Sequence, residues 1–141
     1  MTELKTFFRI ENEKGEGFYC ARFKDENGFD NSISHNLKKS EHLYSNKFHP
    51  EPDSDSLLVK NLVKGEGEKD SFHSYMIRMK YAFVSIEQLK FWVHMQYVRE
   101  MMDKYGFRVA KFRAKGYYGD SQAMYWPGTR VDITSFRVTD I

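Results

Sequence analysis

The stretch YMIRMKYAFVSIEQLKFWVHMQYVREMMDKYGFRVAKFRAK, residues 75–115, decides the fold. In its first part, every second residue is apolar, and the residues between them are a mixture of basic and apolar types. This alternation predicts a strand with two unlike faces over 75–83. Ser85 and Gln88 have the spacing of a capping box, which predicts that a helix begins there. Gly106 can adopt the left-handed conformation that ends a helix. The stretch therefore predicts one long helix over about 85–105, followed by a strand over 107–115.

This long helix carries two apolar stripes on opposite sides. The first comprises Phe91, Met95, Val98, Met102 and Tyr105, and the second comprises Ile86, Leu89, Val93 and Tyr97. The first stripe is expected to cover a sheet. We expect a short helix near 56–63 to cover the second stripe, because the segment before residue 75 needs a surface to pack on. The alternative is that the second stripe contacts another molecule or mediates self-association.

The other elements predict an α+β fold in which a mostly antiparallel sheet of about six strands packs on the long helix. The predicted strands are 6–11, 18–23, 75–83, 107–115, 122–126 and 129 to 133 or beyond. Residues 116–120 are predicted to be the hairpin loop between two of them. The chain length of 141 residues suits a single domain, 1–141. A polar, loop-rich insertion is predicted at about 24–74, in which Asp53 or Asp55 caps the short helix.

The overall composition leaves several function classes open. A formal charge of +2 neither demands nor excludes binding to nucleic acid. The single cysteine, Cys20, cannot form an internal disulfide, which favours a reducing cytosol. No apolar run approaches the roughly 20 residues of a membrane span, and the chain does not open with a basic-then-apolar leader. We therefore expect no contact with a membrane and no export.

Metal and catalytic signatures are weak in this sequence. The histidines are His35, His42, His49, His73 and His94. Three of them recur at sevenfold spacing, which does not match the short spacing of zinc ligands. The acidic run at 51–55 lacks the rest of a calcium loop and is better explained as a helix start. We predict no metal site and no catalytic triad.

A basic row with interleaved aromatic residues is the strongest candidate for a binding surface. It comprises Arg108, Lys111, Arg113 and Lys115, with Tyr117 and Tyr118 after it. On a strand, Lys111, Arg113 and Lys115 would point the same way. Such a row could hold phosphates and stack bases, or it could contact an acidic protein surface. The alternative is a solvated sheet face, or lysines that protect a sheet edge against aggregation.

Several short motifs together resemble small uncharacterised proteins of tailed phages. They are FRIEN at 8–12, GEGFY at 15–19, HPEPD at 49–53, FVSIEQLKFW at 83–92, GFRV at 106–109 and QAMY at 122–125. The resemblance spans nearly the whole chain. It implies the cytoplasm of an infected bacterium as the location, with a role in host takeover or in blocking host defence. It implies a host or defence protein as the partner, and it gives no active site.

The chain also has a distant similarity to mono-ADP-ribosyltransferase folds. Arg9 stands where those folds place an arginine on an early strand, and Ser85 ends a strand before a helix. Gln122 lies near the position of the catalytic glutamate of that family, but no glutamate occurs after Glu100. The similarity implies a nucleotide cleft at Arg9, Ser85 and Gln122, with NAD as its ligand, that has lost the family's chemistry.

The favoured prediction is a non-catalytic binding protein, without a cofactor, that acts stoichiometrically on a host or defence factor. The alternative is an ADP-ribosyltransferase-like protein that binds NAD or another nucleotide and is catalytically inactive or active. A third reading is a nucleic-acid binder, whose affinity would fall steeply with salt.

Overall fold

The computed structural model describes residues 3–18, 21–32 and 51–141. In these ranges the strands are β1 (Lys5–Glu11), β2 (Arg22–Lys24), β3 (Asp30–Ser32), β4 (Lys80–Ala82), β5 (Arg108–Ala114), β6 (Gly116–Tyr118), β7 (Ala123–Tyr125) and β8 (Val131–Arg137). The helices are α1 (Ser56–Glu66), α2 (Phe72–Arg78), α3 (Ile86–Trp92) and α4 (Gln96–Lys104). Short 3₁₀ turns lie at Pro52–Ser54, Pro127–Thr129 and Val138–Asp140. The predicted α+β class with antiparallel strands is confirmed.

The strands form three small sheets in the described part of the chain, so the prediction of one sheet of about six strands is wrong. The orders are β1-β5-β8, β2-β3 and β4-β7-β6, and every pair is antiparallel. The predicted hairpin loop at 116–120 begins instead with β6, which pairs with β7. Gly116 makes this layered packing possible, because a Cβ there would lie 2.6 Å from Phe7 Cζ in the first sheet.

The predicted long helix is also wrong, because the chain breaks it at 93–95 into α3 and α4. Arg99 Nη1 donates a 2.8 Å hydrogen bond to the carbonyl of Val93, the residue that follows α3. The two ends of the predicted long helix are as expected. Gln88 N donates to Ser85 Oγ over 3.1 Å, and Gly106 ends α4 with φ +84°.

The break brings part of each predicted stripe into one core, whereas Phe91 and Tyr97 stay 51% and 43% exposed. Leu89 and Val93 of the second stripe are buried with Val98 and Met102 of the first, in a cluster against one face of the first sheet. The second stripe is therefore not a continuous surface for self-association. Helix α1 does not cover it either, because Leu58 of α1 packs in a different cluster.

The strand predicted at 75–83 survives only at β4, because residues 72–78 form α2. Ser71 Oγ caps this helix by accepting a hydrogen bond from Ser74 N. Tyr75 and Met79 pack against α1, whereas Ile77 is 72% exposed. A strand with the predicted alternation would have put Ile77 on the same face as Tyr75.

The predicted insertion at 24–74 contains more regular structure than expected. Strand β3 pairs with β2, which overlaps the end of the strand predicted at 18–23, and α1 extends the predicted helix near 56–63 to Glu66. Of the two predicted caps, Asp53 and Asp55, it is Asp55 that caps α1, by accepting from Leu58 N over 3.1 Å. Residues 33–50 of the insertion lie outside the described residues. That 1–141 forms one domain stays a prediction.

None of the helices in the three described ranges has the length and apolar character that crossing a membrane requires.

Candidate functional site

A cleft of about 350 Å³ opens where the first and third sheets separate. Phe8 and Phe83 exchange two backbone hydrogen bonds of 2.9 and 2.7 Å, which join β1 to the end of β4. Beyond this bridge β1 continues beside β5, whereas β4 pairs with β7. The cleft lies in the resulting gap. Its walls come from 9–10, 16–18 and 79–83, together with Trp92 and Gln122.

Arg9 lies in the wall of this cleft and is 9% exposed. Its Nη1 donates a 2.6 Å hydrogen bond to the Tyr81 carbonyl, so the guanidinium spans the gap between the sheets. Its Nε donates to Glu11 Oε2 over 3.2 Å. The turn after β1 packs directly on the guanidinium, since a Cβ at Gly17 would lie 2.8 Å from Arg9 Nη2. Any larger residue at position 17 would therefore have to displace the Arg9 guanidinium.

The charges behind the cleft do not balance. Glu11 also accepts two hydrogen bonds from Arg130, of 3.0 and 2.8 Å, so one carboxylate serves two guanidinium groups. Burial alone would raise the pKa of Glu11, but the hydrogen bonds and positive charges of Arg130 and Arg9 hold it below its usual value. At the rim, exposed Glu16 and Lys80 carry opposite charges. The cluster therefore keeps one surplus positive charge.

Aromatic residues supply part of the remaining wall, among them Phe83 and Trp92, which are each 6% exposed. The Phe83 and Trp92 rings pack edge to face with their centroids 5.4 Å apart. Trp92 Nε1 donates to the Ser121 carbonyl over 2.9 Å, which fixes the indole. Tyr81 is 39% exposed beside them. The cleft thus combines a charged donor with apolar, planar surfaces, the composition that small-molecule sites favour.

The structure brings together two of the three predicted cleft residues. Arg9 and Gln122 both line the cleft, and Gln122 is only 3% exposed. Ser85 is not among the lining residues, and its hydroxyl caps α3. The sequence reading missed Glu16, although its position between Gly15 and Gly17 directly after β1 was a usable signal.

The second candidate surface is the basic row. Lys111 and Arg113 are exposed on one face of β5, and Lys115 is exposed just after the strand. Arg113 Nη1 pairs with Asp132 Oδ2 at 2.9 Å. Lys111 Nζ lies 5.8 Å from the centroid of the Phe8 ring. Arg108 is exposed too, but the alternation of β5 places it on the opposite face from Lys111.

The two predicted tyrosines do not join this row. Tyr117 is 9% exposed, and its hydroxyl donates to Glu66. Burial and the neighbouring Glu66 carboxylate raise the pKa of Tyr117 above its usual value. The Tyr118 hydroxyl donates to the Thr6 carbonyl over 2.5 Å. Both rings therefore serve packing between β6 and its neighbours. Exposed Val131 of β8, opposite Arg113, is an apolar neighbour of the row that the sequence reading missed.

Within the described ranges, no group of three or more histidine, cysteine or acidic side chains is close enough to hold a metal ion. His73 and His94 are both exposed. Cys20, His35, His42 and His49 lie outside the described residues.

Comparison with known protein families gives a match over nearly the whole chain. The family model described as Bacteriophage T4 Y00F protein matches residues 1–139. No curated protein and no solved structure matches the chain. These comparisons therefore give no support to the similarity with ADP-ribosyltransferase folds.

Proposed function

The chain belongs to the Bacteriophage T4 Y00F protein family, and from that membership we propose that it acts in the cytoplasm of the infected bacterium by binding an acidic surface of a host or defence protein. The membership itself agrees with the resemblance to small phage proteins seen in the sequence. Stoichiometric binding to a host or defence factor is the role that we assign to it.

The observation that carries the proposal is a basic face on the first sheet, which we define as Lys111, Arg113 and Lys115. All three are exposed, and the register of β1, β5 and β8 places Lys111 and Arg113 on the same side. In the described part of the chain neither Lys111 nor Lys115 makes an ion pair. Their charges are therefore available to a partner, and complementary charge accelerates and orients protein association.

The neighbours of the basic face favour a protein over a nucleic acid. Val131, 42% exposed, lies opposite Arg113, and the partly buried Phe8 lies opposite Lys111. Such a mixture of apolar side chains and cations is typical of protein interfaces. A single-stranded nucleic acid would gain most from aromatic rings on which its bases could stack. Tyr117 and Tyr118, which would have supplied them, take part in internal packing.

The proposal is tested with two variants of equal charge change. The first carries Lys111→Glu, Arg113→Glu and Lys115→Glu. The second carries the same change at Lys60, Lys64 and Lys69, which are exposed and distant in sequence from the basic face. Thermal melts first establish that both variants are folded. We expect wild type and the second variant to capture the same protein from bacterial lysate, and the first variant to lose it.

Capture is followed by titration of the purified partner. We expect affinity to fall as salt rises, because exposed charges are screened within about 10 Å at 0.1 M salt. Duplex and single-stranded DNA are titrated in the same assay. Equal capture by both charge variants would contradict the proposal, and tight DNA binding with a steep salt dependence would replace the protein partner by a nucleic acid.

A further inference from the structure

We propose that the cleft between the first and third sheets binds a planar aromatic ligand that carries an anionic group. This site goes beyond the proposed protein partner. Arg9 pairs with Ala110 across β1 and β5, so its side chain lies on the opposite sheet face from Lys111. Changes in the cleft and on the basic face can therefore be tested separately.

The first argument for an anionic group comes from the hydrogen-bond donors of Arg9. A guanidinium has five N–H donors. Nε donates to Glu11, one Nη1 donor goes to the Tyr81 carbonyl, and one Nη2 donor makes a long 3.5 Å contact with the Gly15 carbonyl. One donor on Nη1 and one on Nη2 are left, and such a pair matches the two oxygens of a carboxylate or phosphate.

The charge balance supports an anion. Arg9 and Arg130 together carry two positive charges against the one negative charge of Glu11. The pKa of Glu11 is held low by the hydrogen bonds from both arginines, which keeps this carboxylate charged at neutral pH despite its burial. An incoming anion would balance the remaining charge, and the low polarity of the surroundings strengthens that interaction.

The volume and the aromatic lining of the cleft support a flat ring. The volume of about 350 Å³ lies within the range of about 300–1,000 Å³ that small-molecule sites occupy. Phe83 and Trp92 are held at a fixed angle by their mutual contact, and Tyr81 is partly exposed next to them. Gln122, which is 3% exposed, adds a polar side chain to this lining. The shared chemistry fits mononucleotides and aromatic carboxylates alike.

Calorimetry with matched pairs of probes tests the ligand class. AMP is compared with adenosine, and naphthalene-2-carboxylate with naphthalene-2-methanol. We expect the anionic member of at least one pair to bind about tenfold or more tightly than its neutral counterpart, as hydrogen bonds to a charged group predict. The pair that binds distinguishes a nucleotide from an aromatic carboxylate. Ribose 5-phosphate, which lacks the ring, should bind more weakly than AMP.

Rim variants test the location without disturbing the buried cluster. Glu16→Gln removes a negative charge at the cleft and should tighten binding of the anionic probe roughly two- to fivefold, whereas Glu13→Gln on the same turn should not. Lys80→Gln should weaken binding of the anionic probe by a similar factor, whereas the control Lys90→Gln should leave it unchanged. Arg9→Met should lower the affinity for the anionic probe at least about tenfold.

These affinities can be compared only between folded proteins, so a thermal melt of each variant comes first. If Arg9→Met is unfolded, the comparison of the rim variants with their controls decides alone. The proposal is overturned if no probe binds more tightly than about 1 mM. It is also overturned if neutral and anionic probes bind equally, or if the rim variants and their controls behave alike.

Discussion

Asp55, the cap of α1, accepts hydrogen bonds from both the backbone N–H and the hydroxyl of Ser121, each of 2.9 Å, across 66 positions of the chain. The same carboxylate accepts from Leu58 N and Asp120 N at 3.1 Å. One side chain thus starts a helix and holds the loop before β7. The next residue, Gln122, lines the cleft, so the position of this cleft wall depends on Asp55.

We predict that Asp55→Ala lowers the free energy of unfolding by about 3 kcal/mol. The change removes a helix cap, worth about 1 kcal/mol, and leaves the partly buried N–H groups of the 120–121 loop without their acceptor. Urea unfolding at neutral pH measures the loss. Asp53→Ala is the matched control, because Asp53 is exposed in the same acidic segment, and its effect should stay within about 0.5 kcal/mol. Equal effects of the two variants would rule out this role of Asp55.

The same carboxylate makes stability depend on pH. Burial alone would raise the pKa of Asp55, but the hydrogen bonds from Ser121, Asp120 and Leu58 lower it below its ordinary value of 3.8. A carboxyl group with a lowered pKa in the folded state contributes stability that is complete above its unfolded pKa. That contribution is lost as the pH falls through the unfolded value towards the folded one.

We therefore predict that the stability difference between wild type and Asp55→Asn is constant from about pH 7 to about pH 5 and shrinks below about pH 4. Urea unfolding across this range measures it. Asp103, whose pKa is also lowered by its hydrogen bonds from Thr139 and Val138 against the effect of burial, should behave in the same way. A difference that remains unchanged at about pH 3 would contradict the prediction.

Gly65 offers a test in which helix propensity and packing oppose each other. Alanine in place of a helical glycine normally stabilises a protein by about 1 kcal/mol. Here a Cβ would lie 2.7 Å from Tyr117 Cζ, so we predict that Gly65→Ala instead destabilises by about 1–3 kcal/mol. Gly128→Ala is the control: a Cβ there has no neighbour within 4 Å, so this exchange should not destabilise the protein.

A double-mutant cycle then identifies the cause. In a Tyr117→Ala background the Gly65→Ala change should cost much less, because the ring that it collides with is gone. Full additivity of the two changes would show that the ring is not responsible.

The ion pairs of the first sheet should differ widely in their effect on stability. Glu11→Gln leaves Arg9 and Arg130, both nearly buried, without their carboxylate, and we predict a loss of about 3–5 kcal/mol. Asp132→Asn breaks an exposed pair with Arg113 and should cost at most about 1 kcal/mol. Asparagine also tolerates the positive φ of 55° at this position. Chemical unfolding of both variants checks the ranking, which a similar loss for the two would refute.

Local signals in the sequence predicted the places where a single residue determines the backbone. The cap at Ser85, the stop at Gly106 and the cap at Asp55 are all present. Each depends on contacts within a few residues, which spacing alone describes.

The failures arose where tertiary contacts choose between two local possibilities. Residues 72–79 alternate like a strand, yet Phe72, Tyr75, Met76 and Met79 also have helical spacing, and their packing on α1 selects the helix. The break between α3 and α4 is stabilised by Arg99, whose reach to the Val93 carbonyl no periodicity indicates. The tetrapeptide KGEG occurs at 14–17 and 64–67, but its first glycine is a turn residue in one copy and helical in the other.

In the candidate sites too, local sequence patterns predicted some features, whereas others depend on long-range contacts. The sequence suggested that Arg9 and Gln122 share a cleft, and both residues line it. The cleft itself exists because two sheets separate, and no local pattern in the sequence predicted that separation. For the basic face, the alternation of β5 was enough to place Lys111 and Arg113 together. Placing Tyr117 needed the position of Glu66 in α1, which is a long-range contact.

The basic face yields a last prediction, in which loss of a salt bridge improves binding. Asp132 neutralises part of the face through its pair with Arg113. We predict that Asp132→Asn raises the association rate constant for an acidic protein partner several-fold at low salt, because steering depends on net charge. Asp70→Asn is the matched control, since Asp70 forms a similar exposed pair with Arg78 at 2.8 Å, away from the face. Stopped-flow or surface-based kinetics at several salt concentrations measure the effect. The gain should fade as salt rises, and an equal gain from Asp70→Asn would mean that overall charge, and not the basic face, governs the encounter.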